Sequence, residues 1–377
     1  MLRSSFRYPP LLALLLLPNV RVWAHWGKLL FCAADVGAGA ALAAAAGARG
    51  GGAGGGAFRA RLAALAWLFN PYTVAVSTRG SCDALATLAV ALCVLWLVTR
   101  RTALAAAAYA FAVHLRLYPA VYAPALLLFL DSENYTPAEA AVTAAGRLRR
   151  LCNAERLKFA AVGSAALLAL CGWSFWLCGD AYVKEALLHH VRRADPRHNF
   201  SPYWYPMHLA EHAAAEAAAA ADSAHALSQQ AGGAGGVLRL AAFLPQLAVV
   251  LLIPLALARD LPLCLFAQTA ALVALNKVAT AQYFAWWFAL APLCAGGCER
   301  PRVAVSALGA WTVAQVHWLG WGYSLEMRGA DTFMLLWVAS AAFAAASAGA
   351  LAYVLSRQAL WPVFERGGRL APAPVAL

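Results

Sequence analysis

Long apolar runs, separated by short polar segments, dominate the hydrophobic pattern of this chain. The runs lie at about 26–46, 61–77, 82–98, 103–114, 117–130, 159–178, 238–258, 261–275, 281–297, 303–323 and 332–355. Several of them approach or reach the length of about 20 residues that a transmembrane helix needs. The pattern therefore predicts an all-α fold, a polytopic transmembrane helical bundle with about ten to eleven membrane segments.

Positively charged residues fall in small groups between these runs, although the formal net charge is +12. If the runs alternate across the membrane and 47–60 faces the cytoplasm, the cations on that side outnumber those on the opposite side. This is the bias that the positive-inside rule describes. The count requires 103–114 and 117–130 to be two segments rather than one long helix. Because the cations form no continuous basic face, we expect no nucleic-acid partner.

Composition supports the same interpretation. Hydrophobic residues make up 63% of the chain and charged residues only 12%, whereas soluble domains contain about 25% charged residues. The nine cysteines lie mostly in apolar runs and form no CxxC pair. We therefore expect free, buried thiols and no metal site.

The whole chain, 1–377, is predicted to be a single membrane-embedded domain with two spacers. Residues 47–57 are rich in glycine and predict a flexible linker on the cytoplasmic side. Residues 179–237 form a long loop on the opposite side, with an alanine-rich and then glycine-rich portion. The sequence shows no internal repeat.

Four polar islands interrupt the apolar background. They are Asn70–Asp83, His114–Pro119, Arg197–Pro206 and Asn276–Tyr283. By the topology above, all four face the non-cytoplasmic side. Ionisable groups at membrane depth are costly, so they usually line a polar cavity or pair with one another. The islands therefore predict one shared site.

Most of the islands also have a purely structural interpretation. Arg79 and Asp83, spaced i and i+4, could form an ion pair that holds two helices together. His114 and Arg116 could snorkel at the membrane interface, and the fourth island could cap a helix. The third island is harder to explain in this way, because it combines cationic, imidazole, amide, hydroxyl and aromatic groups.

This mixture of groups suits a phospholipid-linked sugar. Arginine and lysine bind phosphate, aromatic rings pack against sugar faces, and asparagine, histidine and tyrosine hydrogen-bond hydroxyl groups. The candidate donor- and acceptor-binding residues are Arg79, Asp83, His114, Arg116, Tyr118, Arg197, His198, Asn199, Ser201, Tyr203, Asn276, Lys277, Gln282 and Tyr283.

At these islands the sequence resembles the catalytic-subunit family of glycosylphosphatidylinositol (GPI) mannosyltransferase I. The matching segments are FRYPPLLALLLLPN (6–19), GKLLFCAAD (27–35), FNPYTVAVSTRGSCDAL (69–85), AVHLRLYPAVYAPALLLFL (112–130), RHNFSPYWY (197–205), FLPQL (243–247) and NKVATAQYFAWWFALAPL (276–293). The combination of RHNFSPY with NKxxTxQYFxW is highly specific, and the match covers most of the chain.

The resemblance implies a GT-C type glycosyltransferase in the endoplasmic reticulum membrane, with its active site on the luminal face. It implies transfer of the first mannose, in α1,4 linkage, from dolichyl-phosphate mannose to glucosaminyl-(acyl)phosphatidylinositol. Dolichyl-phosphate mannose is then a substrate rather than a cofactor, and a role for a divalent metal is left open. A small single-span stabilising subunit is the partner that the resemblance implies.

The chain departs from the family pattern at one point. The family carries an earlier transmembrane helix and a luminal loop with an Asp-x-Asp pair upstream of the segment matched by 6–19. This chain begins at Met1 and contains no Asp-x-Asp, so we expect a truncated chain without the family's general base. Asp83 is the only acid within an island, and it makes a weak base because Arg79 is expected to hold it as an ion pair.

Two other classes of protein fit parts of the sequence. A polytopic transporter or scramblase for lipids or lipid-linked sugars would also gather polar groups between helices, but many such proteins show inverted repeats. A zinc metalloprotease is suggested by His208-Leu-Ala-Glu211-His212, an HxxEH motif. That motif runs into an alanine-rich segment and has no clear third ligand downstream, so we expect a chance match.

Overall fold

The computed structural model describes residues 7–49, 55–131, 133–135, 152–188, 197–220, 244–297 and 300–372. Within these ranges the regular structure is helical, and the β-structure found there is an isolated bridge between Phe364 and Leu370. The prediction of an all-helical chain is confirmed.

The first part of the chain folds into helices that are mostly joined by short connections. They are α1 (Pro10–Leu15), α2 (Pro18–Arg21), α3 (Trp26–Arg49), α4 (Gly55–Leu68), α5 (Pro71–Arg79), α6 (Asp83–Val98), α7 (Thr102–Leu115), a 3-10 turn (Tyr118–Tyr122), α8 (Ala123–Phe129) and α9 (Ala154–Cys178).

The second part adds a π-helical turn, seven further α-helices and a 3-10 turn (Ala295–Gly297) within the described ranges. They are the turn Tyr182–Leu188, α10 (Trp204–Ala220), α11 (Leu244–Leu257), α12 (Leu261–Ala274), α13 (Ala281–Phe288), α14 (Ala291–Cys294), α15 (Pro301–Arg328) and α16 (Phe333–Ser356).

Among the described helices, α3, α9 and α16 are each long and apolar enough to cross a membrane. Helices α6, α7, α11 and α12 are also apolar but have only 14 to 16 residues. These features fit a polytopic membrane bundle. The number of membrane segments stays a prediction.

The two predicted spacers are partly helical. Helix α3 extends to Arg49 and α4 begins at Gly55, so the helices include both ends of the predicted linker 47–57. The long loop 179–237 contains the π-helical turn and α10. Residues 50–54, 189–196 and 221–237 lie outside the described part of the chain.

The apolar run at 61–77 forms two helices, α4 and α5, because Asn70 and Pro71 start a new helix within it. The Asn70 side chain accepts a hydrogen bond from the Tyr72 backbone N–H at 2.8 Å, and Pro71 occupies the first turn of α5. Both features are typical of a helix N-terminus. The same helix ends at Arg79, because Gly80 adopts the left-handed conformation with φ of 81°. The chain then turns into α6 at Asp83.

The chain reverses direction between α7 and α8, as the charge pattern predicted. The Thr102 hydroxyl at the start of α7 lies 2.9 Å from the Tyr135 hydroxyl, which follows α8. The first residue of α7 and the chain just after α8 are thus at one end of the bundle. Residues 103–114 and 117–130 therefore form two antiparallel segments, and the prediction of a split is confirmed.

Small residues bring α3 close to its neighbours. Ala38, Ala45, Ala63 and Ala105 are fully buried, with no exposed surface, and they belong to one core cluster with Leu42. Small side chains at helix interfaces allow close approach of helix backbones in membrane proteins. This packing fixes the relative positions of α3, α4, α6 and α7, two of which lead into the site.

Opposite ends of α6 define the two ends of the bundle. The helix has 16 residues, which corresponds to about 24 Å. Asp83 lies at one end, which we call the site end, and Arg100 follows the other end, which we call the distal end. Arg49 and Asp260 also lie at the distal end, where Arg49 contacts Trp361 and Asp260.

A buried charge network closes the distal end. Arg49 Nη2 donates to Asp260 Oδ1 at 2.9 Å and to the Trp361 carbonyl at 2.6 Å, and Nη1 donates to the Leu293 carbonyl at 3.1 Å. The Trp361 N–H donates to Asp260 Oδ2 at 3.0 Å. The side chains of Arg49 and Asp260 are 2% and 3% exposed. The segment after α16 is thus tied to α3 and α12.

Candidate active site

A buried carboxylate stands at the centre of the site end. Asp83 is 2% exposed and begins α6 directly after the turn at Gly80. Its Oδ2 accepts from Ser81 Oγ at 2.8 Å and from Arg116 Nη2 at 2.7 Å, and its Oδ1 accepts from Trp286 Nε1 at 3.1 Å. Donors on both oxygens thus satisfy the hydrogen-bonding needs of this buried group. The donors come from three separate parts of the chain.

Arg116 reaches this carboxylate from the end of α7. Its backbone is extended, with φ of −142° and ψ of 126°, so that the helix stops at Leu115. The side chain is 13% exposed, and its guanidinium lies 5.2 Å from the centre of the Tyr8 ring. The Arg116 Nε is buried and has no hydrogen-bond partner among the described residues.

Aromatic rings stack beside the ion pair. Tyr118 lies parallel to Trp286 with ring centres 3.9 Å apart, and Tyr283 stacks on the same tryptophan at 4.2 Å. Stacking of this kind adds about 0.5–1.5 kcal/mol per pair beyond surface burial. The Trp286 N–H is thereby held towards Asp83. This stack joins the second and fourth polar islands to the first.

The third island pairs with the fourth through backbone and amide groups. Asn199 Oδ1 accepts from the Ala279 N–H at 3.2 Å and from the Ser201 N–H at 2.9 Å. The Phe200 N–H donates to the Ala279 carbonyl at 3.0 Å. Asn199 and Ser201 are buried, at 7% and 1% exposed. All four predicted islands therefore meet at the site end.

Helices α15 and α16 support the third island. Trp204 Nε1 and Trp318 Nε1 donate to Ser340 Oγ at 3.0 and 2.8 Å. His198 Nε2 lies 2.6 Å from Glu326 Oε1, and these two side chains are 25% and 54% exposed. An imidazole and a carboxylate thus face solvent together at the edge of the site.

The other candidates lie around this centre. Lys277 is buried, and Asn276 Oδ1 accepts from the Val278 N–H at 3.3 Å. Arg197 is exposed, whereas Tyr203 and Gln282 are half-buried.

His114 is buried away from the ion pair. Its Nδ1 lies 3.9 Å from the Cys171 sulfur, and its ring lies 6.4 Å from the Tyr182 ring. Its Nε2 has no hydrogen-bond partner among the described residues. The structure thus brings His114 to α9 and the π-helical turn rather than to Asp83.

The expected ion pair between Arg79 and Asp83 is wrong. Arg79 is the last residue of α5 and is exposed, and the left-handed Gly80 ends that helix before Asp83. The i, i+4 spacing brings side chains together only within a continuous helix. Arg116 is the cation that pairs with Asp83.

Comparison with known proteins gives the family. The family model described as Mannosyltransferase (PIG-M) matches residues 76–355. The chain belongs to this mannosyltransferase family. It is 36% identical to GPI mannosyltransferase 1 of Gibberella zeae, over 94% of this chain and 82% of that protein. It is 34% identical to the GPI alpha-1,4-mannosyltransferase I catalytic subunit of Danio rerio, over 94% of this chain and 83% of that protein.

A third relative, GPI mannosyltransferase 1 of Neurospora crassa, is 34% identical over 90% of this chain and 80% of its own length. These relatives and the family model support a glycosyltransferase, and they do not favour a transporter or scramblase. The family match includes the second, third and fourth polar islands and part of the first.

Sequence reasoning missed two residues of this candidate site. Trp286 lies within the motif at 276–293 and three residues after Tyr283, on the same side of a helix, so the spacing could have indicated it. Glu326 gives no local signal, because its contact with His198 joins positions that are 128 residues apart.

The HxxEH motif lies on α10 beside the aromatic cluster. His208 stacks on Phe333 with ring centres 5.5 Å apart, and its ring lies 4.5 Å from that of His212. Among the described residues no group of three histidine, cysteine, aspartate or glutamate side chains is arranged to hold a metal ion. His208 of this motif thus packs against Phe333 and His212.

Proposed function

We propose that this chain transfers the first mannose, in α1,4 linkage, from dolichyl-phosphate mannose to glucosaminyl-(acyl)phosphatidylinositol during GPI-anchor synthesis. The names of the relatives, GPI mannosyltransferase 1 and GPI alpha-1,4-mannosyltransferase I catalytic subunit, support this proposal. The proposal includes a GT-C type bundle of about ten to eleven segments in the endoplasmic reticulum membrane, a luminal active site and a small single-span partner subunit.

The observation that carries the proposal is the ion pair of Asp83 and Arg116 beside the stack of Tyr118, Trp286 and Tyr283. An arginine suits a phosphate, and aromatic rings suit the apolar face of a sugar. In the third island, His198 and Tyr203 are partly exposed and can hydrogen-bond sugar hydroxyls. A phospholipid-linked sugar needs all three kinds of contact.

In the proposed reaction, the oxygen of a glucosamine hydroxyl bonds to the anomeric carbon of mannose while the bond from that carbon to dolichyl phosphate breaks. The hydroxyl proton passes to a general base, a role that the resemblance gives to the family's Asp-x-Asp loop rather than to Asp83. Negative charge then develops on the leaving phosphate, so a fixed cation aimed at it lowers the barrier. Arg116 is the residue we assign to this task, because it is only partly buried and retains donors beyond its single bond to Asp83.

We assign Asp83 a positioning role rather than that of the base. Both of its oxygens accept hydrogen bonds, and the side chain is 2% exposed. A base must come within hydrogen-bond reach of the proton that it removes, and the three donors around Asp83 occupy that space. Asp83 instead fixes the direction of the Arg116 side chain.

Mannose transfer in microsomes tests the proposal. Microsomes come from cells that lack their own first GPI mannosyltransferase and express this chain together with the small partner subunit. Because the match covers 83% of the Danio rerio relative, a second version is extended by the residues of that relative that lie outside the match. We expect transfer from dolichyl-phosphate mannose to glucosaminyl-phosphatidylinositol in at least one version, and a large loss in Arg116→Ala.

Arg79→Ala is the matched control, because Arg79 is an exposed arginine at the same end of the bundle. Absence of transfer in both versions, with normal expression and membrane insertion, would overturn the proposal. Movement of the lipid-linked sugar across the membrane without transfer would instead support the transporter interpretation.

A further inference from the structure

An exposed carboxylate lies at the edge of the third polar island. Glu326 is in the last turn of α15, which ends at Arg328, and its side chain is 54% exposed. Its Oε1 lies 2.6 Å from Nε2 of His198, which is 25% exposed. The other oxygen, Oε2, accepts no hydrogen bond from the described residues. Glu326 can therefore accept a hydrogen bond from a ligand while His198 holds its side chain in place.

Buried groups fix the position of His198. Its ring centre lies 6.2 Å from that of Trp204 and 6.4 Å from that of Trp318, and both tryptophans are buried. The N–H groups of these tryptophans donate to Ser340 Oγ, whose own hydroxyl donates to the Asn199 carbonyl at 3.2 Å. The imidazole and its carboxylate partner thus stand on a rigid frame, so that little conformational freedom is lost when a ligand binds.

The short helix α13 connects this edge to the centre of the site. The Ala279 N–H, just before the helix, donates to Asn199 Oδ1 at 3.2 Å. Trp286, further along the helix, donates to Asp83 at 3.1 Å. The edge of the third island and the ion pair thus both contact this segment, about two helical turns apart. A headgroup made of glucosamine, inositol and phosphate can extend over such a distance.

The acceptor of the proposed reaction carries charges of both signs. Its phosphate is negative, whereas its glucosamine has an amino group that is largely protonated at neutral pH. An ammonium group forms its strongest hydrogen bonds with a carboxylate. Asp83 is unsuited to this task, because both of its oxygens already accept hydrogen bonds and its side chain is 2% exposed. Glu326 is exposed and has an oxygen to offer, so it fits the ammonium group.

We propose that Glu326, held in place by His198, binds the ammonium group of the glucosamine in the acceptor. The proposal rests on the proposed function above, and it makes Glu326 a residue that selects an amino sugar over the corresponding neutral sugar. The carboxylate also places the amine at the edge of the site, away from the positive charge of Arg116. Arg116 thereby stays available for the phosphate of the donor.

Two acceptors that differ only at this group test the proposal. They are glucosaminyl-phosphatidylinositol and glucosyl-phosphatidylinositol, which has a hydroxyl in place of the amine. The assay uses the version of the chain that transfers mannose, together with its partner subunit. Glu326→Gln keeps the size of the side chain and removes its charge. We expect it to raise the KM for the glucosaminyl acceptor roughly three- to tenfold, as for a charge pair that is only partly removed from water. The kcat and the KM for the glucosyl acceptor should change by less than about twofold.

Asp331→Asn is the matched control, because Asp331 is an exposed carboxylate in the turn between α15 and α16. This variant should keep the KM for both acceptors. In Glu326→Gln, an equal rise of the KM for both acceptors would overturn the proposal, because it would show that the substitution acts on something other than the amine. An unchanged KM for both acceptors would overturn it as well.

A second measurement uses the unsubstituted chain, so that misfolding of a variant has no effect. Its KM should be lower for the glucosaminyl acceptor than for the glucosyl acceptor, by about the factor that Glu326→Gln removes. Equal KM values for the two acceptors would overturn the proposal. Lack of mannose transfer to either acceptor by the unsubstituted chain would instead refute the proposed function itself.

Discussion

The hydrogen bond from Trp286 to Asp83 offers a direct test of how the site is organised. Trp286→Phe removes the N–H that donates to Asp83 Oδ1 at 3.1 Å and keeps an aromatic ring that can stack with Tyr118 and Tyr283. We expect the Asp83 carboxylate to lose its fixed orientation. Arg116 donates to the other oxygen of this carboxylate at 2.7 Å, so the position of its guanidinium should become less well defined.

The magnitude follows from the nature of this bond. A hydrogen bond to a charged group contributes about 1.5–3 kcal/mol, and each 1.4 kcal/mol corresponds to about a factor of ten. If the bond acts through the position of Arg116 in the transition state, kcat should fall roughly 10- to 100-fold with little change in KM. Trp96→Phe, on α6 near the distal end, is the matched control and should keep its activity.

The assay is mannose transfer to glucosaminyl-phosphatidylinositol by purified protein, with thermal unfolding measured in parallel. A double-mutant cycle with Asp83→Asn separates positioning from general damage. Because Trp286 is expected to act only through Asp83, the double variant should lose no more activity than Asp83→Asn alone. Additive losses, or a kcat in Trp286→Phe within twofold of the unsubstituted chain, would refute this reasoning.

Three further predictions concern the charged residues and the topology. Arg49→Leu leaves Asp260 buried without its partner, so the free energy of unfolding should fall by about 3–5 kcal/mol. This loss should appear as a lower unfolding temperature in detergent. The double variant Arg49→Leu, Asp260→Leu should recover part of the lost stability. Arg79→Ala should reduce transfer less than threefold, because Arg79 makes no ion pair with Asp83; a loss as large as that of Arg116→Ala would contradict this. Asn134-Tyr-Thr136 is an acceptor sequence for N-glycosylation on the predicted cytoplasmic side, so Asn134 should carry no glycan. A mass shift removed by endoglycosidase would contradict the predicted topology.

Hydrophobic pattern and charge were sufficient to predict the helical bundle, the reversal within 103–130 and the meeting of the polar islands. The reason is physical. Apolar runs must be helical in a membrane because the backbone has to satisfy its own hydrogen bonds, and ionisable groups must find one another or a polar cavity. These constraints act along the sequence, so a single chain reveals them.

Contacts between distant segments could not be predicted in the same way. The partner of Asp83 is Arg116 rather than Arg79 because Gly80 ends α5, and the sequence alone did not indicate whether the helix continues through that glycine. The pair of Arg49 and Asp260 joins positions 211 residues apart. Spacing rules for helices and strands contain no information on such pairs, which depend on how whole helices are placed.

The two buried ion pairs lie at opposite ends of the bundle and differ in how completely the arginine is used. Arg49 bonds a carboxylate and two carbonyl groups and is 2% exposed. Arg116 bonds one carboxylate oxygen and is 13% exposed.

Guanidinium offers five donors. Within the described residues Arg49 donates to three acceptors in the fold and Arg116 to one, and the Nε of each arginine is buried without a partner. This difference is the physical reason to assign the leaving phosphate to Arg116 and a structural role to Arg49.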